Sequence, residues 1–183
     1  MTYPEYVRIR GEKVKIKTDT KTALKCLKIA NDNDIGDYER ALAIIYTLYG
    51  YIPPDNELWQ DYLKQAQKFL SKNENGENGE NGDTEPDMDL IYDEPYIVAS
   101  FMSDYKIDLN KENPHFWLFC DLIAGLTEHS VLSRVRSLRT MDVSNWSEKD
   151  KREILKAKEA VALPRRLTKE EQESEDIFEA RFK

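Results

Sequence analysis

Apolar and polar residues alternate over residues 5–17, with a single interruption. Val7 and Ile9 carry the alternation up to Arg10-Gly11-Glu12, and Val14 and Ile16 resume it, which predicts a β-hairpin turning at residues 10–12. Each strand has one apolar face, and a two-stranded sheet is marginal alone, so a covering helix is expected. From Asp19 the spacing becomes helical. Leu24, Leu27 and Ile29-Ala30 predict a short helix ending in Asn31-Asp32-Asn33-Asp34, and Asp37 is placed to cap the next one. There Leu42, Ile45, Tyr46 and Tyr49 fall at i, i+3, i+4 and i+7, Ala41, Ile44 and Leu48 widen the stripe, and Gly50 closes it. Apolar on nearly every side, this helix is expected in the core. Pro53-Pro54-Asp55 opens a third helix with Leu58, Trp59, Tyr62, Leu63, Ala66 and Leu70 on one face.

The pattern then breaks. Glu74-Asn75-Gly76 repeats twice and runs into Asp83-Thr84-Glu85-Pro86-Asp87, a composition that buries too little surface to offset chain entropy. Residues 73–88 therefore read as a disordered acidic loop. Periodicity returns near Leu90, and Tyr96, Ile97, Phe101 and Tyr105 mark a helix. Asn113-Pro114 predicts the start of the next, with asparagine as cap and proline first. Phe116 to Leu126 is the most apolar stretch of the chain and is expected to form a second core helix around Trp117 and Phe119, with Trp59 less deeply placed. Leu132, Val135 and Leu138 mark a shorter helix. Ser147-Glu148-Lys149-Asp150 resembles a capping box before a helix carrying Ile154, Leu155 and Val161, which Pro164 stops. The predicted fold is mainly α, a helical domain with a small N-terminal hairpin. Its parts are residues 1–72, the loop 73–88, residues 89–164 of the same domain and a charged tail, 165–183; two helical subdomains are the alternative.

Composition changes this picture in two places. The net charge of −8 resides in residues 72–94, which hold nine acids and one base and leave 26 of each elsewhere, so the chain has no global acidic field. No apolar run is long enough to span a bilayer and the N-terminus has no signal layout, so the expected location is cytoplasmic. Cys26 and Cys120, each alone in a helical pattern, are expected to be reduced, packed thiols.

Candidate chemistry is sparse. Two histidines, His115 and His129, do not pair with the cysteines at ligand spacing. A calcium-loop register over Asn31–Gly36 puts Ile35 fifth and Leu42 where a bidentate glutamate belongs, which favours a helix-to-helix turn. Nucleophile elbow, phosphate loop and zinc helix signatures are all missing, so no catalytic residue, metal or cofactor is assigned and the chain is expected not to be an enzyme. Asp89 and Asp93 read as solvated charge beside the acidic loop. Arg134, Arg136 and Arg139 form the best basic cluster, with Arg165 and Arg166 as reinforcement; their positions do not make one stripe, so a solvated or protein-facing helix is favoured over nucleic acid. In the tail, Ile177, Phe178 and Phe182 are apolar anchors for a contact segment or simply a solvated end.

Several stretches resemble the bacteriophage gene product fifteen family of tailed-phage and prophage proteins. They are the hairpin leading through Ile16-Lys17-Thr18-Asp19-Thr20, then Ala43 through Pro53, Asp93 through Met102 with Tyr105 through Leu109, His115 through Phe119 with Leu122 through Leu126, and Arg136 through Ser144. The resemblance covers roughly residues 6–167. It departs at Ala23 and Cys26, where relatives tend to be aromatic, and in the Glu-Asn-Gly repeats that enlarge the central loop. It implies a gene lying in a tail-morphogenesis cluster near the tape-measure gene. The implied role is a tail assembly chaperone that binds the tape-measure protein, and secondarily tail-tube protein, without catalysis. A structural minor tail protein and a nucleic-acid-binding regulator are the alternatives. Oligomeric state is left open.

Overall fold

The computed structural model describes residues 2–72 and 86–164. Strands β1 (Tyr6–Ile9) and β2 (Glu12–Lys15) pair antiparallel with Val7 opposite Val14 and Ile9 opposite Glu12. The turn is only Arg10-Gly11, tighter than the three residues expected, with φ of 47° and 90°. Both residues are left-handed, which matches the twist of a two-residue hairpin, and glycine takes the second position without strain. Arg10 is held there from outside: its guanidinium donates to Asp61 (2.7 Å), on the helix that covers the hairpin, and to the Glu57 carbonyl (3.2 Å) in the turn before that helix.

The chain forms two compact units, Met1–Ser137 and Leu138–Lys183. In the first, α1 (Thr20–Ala30) is capped by Asp19, which accepts the Thr22 amide. Its deepest side chains are the small Ala23 and Cys26, whereas Leu24 and Leu27 are half-buried and Ala30 is exposed. Helix α2 (Asp37–Tyr49) begins one residue earlier than a cap at Asp37 would place it. Gly36 is the cap residue, its amide donates to the Glu39 carboxylate (2.9 Å), and Asp37 pairs with Arg40 in the first turn. Arg40 also donates to the carbonyls of Asp32 (2.5 Å) and Ile35 (2.9 Å), so a built-in cation organises the 31–36 turn. Gly50, at φ 84°, ends α2 in the left-handed conformation that glycine allows. After a 3-10 turn at Asn56–Leu58 capped by Asp55, α3 (Trp59–Leu70) runs back, packed on α2 and β1. Phe69, fully buried, is the core residue at its end, and Leu70 is only half-buried.

Beyond the acidic segment, α4 (Glu94–Tyr105), α5 (Phe116–Ala124) and the start of α6 (Val131–Thr140) enter the same core. Residues 73–85 lie outside the described residues. Of the rest of that stretch, Met88 packs half-buried against the core and Asp87 pairs with Arg136, so these residues do not belong to a disordered loop. Four phenylalanines form the centre: Phe69 meets Phe116 (5.9 Å between centroids), Phe116 meets Phe119 (6.3 Å), and Phe119 meets Phe101 (5.3 Å), joining α3, α5 and α4. Trp117 is half-buried rather than central, its indole N–H donating to the Phe69 carbonyl (2.8 Å) at the end of α3. Buried Ser100 donates to the Tyr96 carbonyl (2.7 Å) and accepts the Leu132 amide (2.9 Å), satisfying a donor that α6 leaves orphaned at its first turn.

Helix α5 starts at Phe116, with His115 as its cap, not at Asn113-Pro114. Those two residues serve α1 instead. Asn113 accepts the Lys21 amide (3.1 Å) and donates to Asp19 (2.8 Å), while the Pro114 carbonyl accepts both the amide (2.9 Å) and the hydroxyl (2.8 Å) of Thr20.

In the second unit, α7 (Glu148–Ala160) is capped by Ser147, which accepts the Asp150 amide; the Ser147 hydroxyl donates to the Asp150 carboxylate (2.7 Å), a variation on the predicted box. Arg139 donates to the Val161 carbonyl (2.6 Å) and Lys158 to that of Met141 (2.8 Å). No α7 residue is buried: Ile154 is half-buried and Leu155 exposed, because two apolar neighbours among so many charges make too narrow a stripe for a core.

Phe119→Ala should cost about 3–5 kcal/mol in urea denaturation, and Trp117→Ala clearly less; equal losses would contradict the placement of Trp117. A pH dependence follows from Asp19. Partial burial works to raise its carboxyl, but the Thr22 and Asn113 hydrogen bonds outweigh that and hold it below the usual range. Its contribution is therefore present at neutral pH and lost as pH falls through the depressed folded value. Asp19→Ala should cost about 0.5–2 kcal/mol at neutral pH, and the gap to wild type should close below about pH 4 in thermal melts.

Candidate functional site

The arginines that sequence brings together are separated by their duties. Arg136 gives two 2.9 Å contacts to one oxygen of Asp87, Arg139 donates to the Val161 carbonyl, and Arg134 is exposed. Arg136 and Arg139 are thereby committed to fastening backbone and carboxylate groups. Arg165, Arg166, Ile177, Phe178 and Phe182 lie outside the described residues.

The remaining titratable groups are arranged for structure. Asp93 is not solvated as expected but fully buried, accepting the Asp89 amide (3.0 Å), while Asp89 accepts those of Ile91 and Tyr92. These bonds shape the turn that launches α4. Cys26 and Cys120 are free thiols, and burial pushes them up to about 12 and about 11, away from thiolate reactivity. Asp121, beside Cys120, is held below the usual carboxylate range by the Lys72 ammonium and the Tyr3 hydroxyl, which favours the ionised acceptor over a proton-transfer role. Among the described residues no three His, Cys, Asp or Glu side chains converge as a metal set. A cleft lined by Lys21, Leu24, Glu94, Ile97, Leu109 and Phe119 holds about 120 Å³. Small-molecule sites generally enclose about 300–1,000 Å³, so it suits one inserted side chain better than a substrate.

The surface that stands out is the outer side of α2 and the segment after it. From Ala41 to Pro54 there is no charged residue, in a chain that is 34% charged. Ile45, Leu48 and Tyr49 are buried under α1 and α3, but Ala41 to Ile44 and Thr47 are half-exposed, and Tyr46 keeps 59% of its surface in solvent. The helix is thus covered on one side, and Tyr46 is not the core residue its spacing suggested. Tyr38, 65% exposed, leans on the Trp59 ring (5.6 Å) at the start of the helix, and Tyr51 and Ile52 are exposed just past its end. Tyr51 is fixed by a 2.7 Å hydroxyl contact to Tyr62, whose own position is set by Tyr49 donating to its carbonyl (2.8 Å). Burial, with the Tyr51 hydroxyl second, pushes Tyr62 up to about 12, so Tyr62 stays neutral at physiological pH.

A family model described as Bacteriophage Gp15 protein matches residues 2–163. The chain belongs to that family. No curated protein and no solved structure matches the chain. Membership makes this a phage protein of the structural or morphogenetic kind, and the matched span takes in the hairpin, the seven α-helices of the described residues and the uncharged face of α2. No helix among the described residues of this Gp15 protein is long and apolar enough to cross a membrane.

The exposure of α2 separates adjacent residues. Tyr46→Ser should change stability by less than about 0.5 kcal/mol, as surface substitutions do, whereas Ile45→Ala should cost about 2–5 kcal/mol. A loss at Tyr46 comparable with that at Ile45, measured by urea denaturation, would return this face to the core.

Proposed function

We propose that this Gp15 protein is a non-catalytic tail assembly chaperone or assembly factor that holds the tape-measure protein in the host cytoplasm until tail subunits surround it. Tail-tube protein is the secondary partner. The observation that carries the reading is the uncharged outer side of α2, where Tyr46 is exposed, flanked by exposed Tyr38 at the start of the helix and exposed Tyr51 and Ile52 past its end, in a family of phage structural or morphogenesis proteins. A tape-measure protein is expected to be long, helical and apolar, and so prone to aggregate before assembly. An amphipathic helix of that kind docks its apolar face on a complementary apolar surface, and exposed apolar patches mark such sites. Tyrosines are suited to anchor the contact, because a rigid aromatic body buries much area at small entropic cost. Asp37 and Glu39, exposed at the start of the same helix, supply a charged rim that keeps the free protein soluble.

Co-expression with the tape-measure protein of the same phage tests this. The two should co-elute in size-exclusion chromatography, and the tape-measure protein should stay soluble only in the presence of this partner. Substituting Tyr38→Ser and Tyr46→Asp together should weaken capture about tenfold or more, at about 1 kcal/mol or more per aromatic anchor, while leaving the melting temperature nearly unchanged. Equal precipitation with and without the partner, and no co-elution, would refute the chaperone reading. Fixed copy number in washed virions would favour a minor tail protein.

A further inference from the structure

The hairpin carries a second surface, on the side opposite α3. Strand parity puts Val7, Ile9 and Val14 toward the core and Tyr6, Arg8, Lys13 and Lys15 outward, and all four of the latter are exposed. The only acid in the two strands, Glu12, pairs with Ile9 on the other parity. The Ile16 amide donates to the Glu5 carbonyl (3.1 Å), which fixes the alternation of the ladder. Arg8 and Lys13, like Tyr6 and Lys15, are therefore non-hydrogen-bonded pairs, in which opposed side chains come closest. Two cations thus face each other directly, an arrangement that destabilises a sheet. Among the described residues none of Arg8, Lys13 and Lys15 meets a carboxylate within ion-pair distance.

We propose that this outer face of the hairpin is a docking surface for an acidic, extended polypeptide segment, whose carboxylates relieve the repulsion between Arg8 and Lys13. The spacing fits. Lys13 and Lys15 sit two residues apart on one strand, about 6.8 Å, the repeat at which an extended peptide presents alternate side chains on one face. Phosphate polymers fit less well. The Lys13 ammonium lies 4.1 Å over the Tyr6 ring and occupies a face that a base would need for stacking. Three cations on a sheet two strands wide are also few for a nucleic-acid track. This surface is independent of the α2 face, and its test does not involve the tape-measure protein.

The test titrates the full-length protein into a short fluorescein-labelled peptide of alternating glutamate and threonine at low ionic strength. A matched glutamine–threonine peptide and an oligothymidylate of equal charge serve as comparisons. The glutamate peptide should bind, salt should weaken it, and the other two probes should bind more weakly. Arg8→Glu should weaken the glutamate peptide about fivefold or more, because an attractive contact becomes a repulsive one. It should also raise the melting temperature of the free protein by about 1–3 °C, since an opposed like-charge pair becomes an ion pair. Lys15→Glu should weaken binding similarly, and Arg134→Glu, at an exposed arginine elsewhere, should not. Preference for thymidylate, equal binding of the glutamine peptide, or indifference to Arg8→Glu and Lys15→Glu would each overturn the proposal. So would an Arg134→Glu effect as large as theirs, or a melting temperature lowered by Arg8→Glu.

Discussion

Helices α1 and α5 begin side by side, and each has its first turn completed by the segment that leads into the other. The Phe116 amide donates to the Thr18 carbonyl at 2.7 Å, the Thr20 amide returns to the Pro114 carbonyl at 2.9 Å, and Asn113 links the Lys21 amide to the Asp19 carboxylate. His115 completes the exchange. One ring nitrogen accepts the Trp117 amide (3.1 Å), so the other carries the proton and donates to the Pro4 carbonyl (3.0 Å). The start of a helix leaves four amides without intrahelical partners, and burying them unsatisfied is costly. Here residues 94 positions apart solve that problem for one another. The acidic segment enters the chain between two parts already committed to a shared seam.

Much else follows from the seam. It sets α5 against α1 and brings Phe116 and Phe119 to the end of α3 and the middle of α4, where the four-phenylalanine centre forms. Its hydrogen bonds give direction at about 1 kcal/mol net each, while the aromatic and aliphatic burial supplies most of the stabilisation. With the core filled from that side, α2 is left one covered face and one uncharged open face. The hairpin, pinned through Arg10 to Asp61 and Glu57, likewise turns its cations outward. Both candidate interaction surfaces are thus the far sides of elements whose near sides the core requires.

Local rules made much of this legible. Alternation located the strands, helical spacing located the seven helices of the described residues, and Gly50, Asp55 and Ser147 stand at the boundaries their chemistry suggests. What was hidden is long-range. Asn113-Pro114 looks like a helix start because those residues satisfy orphan amides, and they do so for a helix on the other side of the chain. Asp93 looks solvated beside other acids, yet the fold closes over it. Tyr46 has the spacing of a core residue, and periodicity cannot tell a stripe facing the core from one facing a partner. The cationic hairpin face is visible in the sequence, since Arg8, Lys13 and Lys15 fall out of phase with Val7, Ile9 and Val14.

A Gp15 protein built this way has few reactive groups among its described residues and two surfaces of unlike character, one apolar and aromatic, one cationic. Each surface matches a different partner chemistry, the first a nonpolar helix and the second an acidic strand. The central claim is that the outer side of α2 is where the tape-measure protein is held. Hydrogen exchange by mass spectrometry, comparing the free protein with its complex with the tape-measure protein, measures this directly. The account predicts slowed exchange in peptides spanning residues 37–52 and little change in α5, which is already protected by the core. Protection confined to other segments, with residues 37–52 exchanging as fast in the complex as alone, would contradict it.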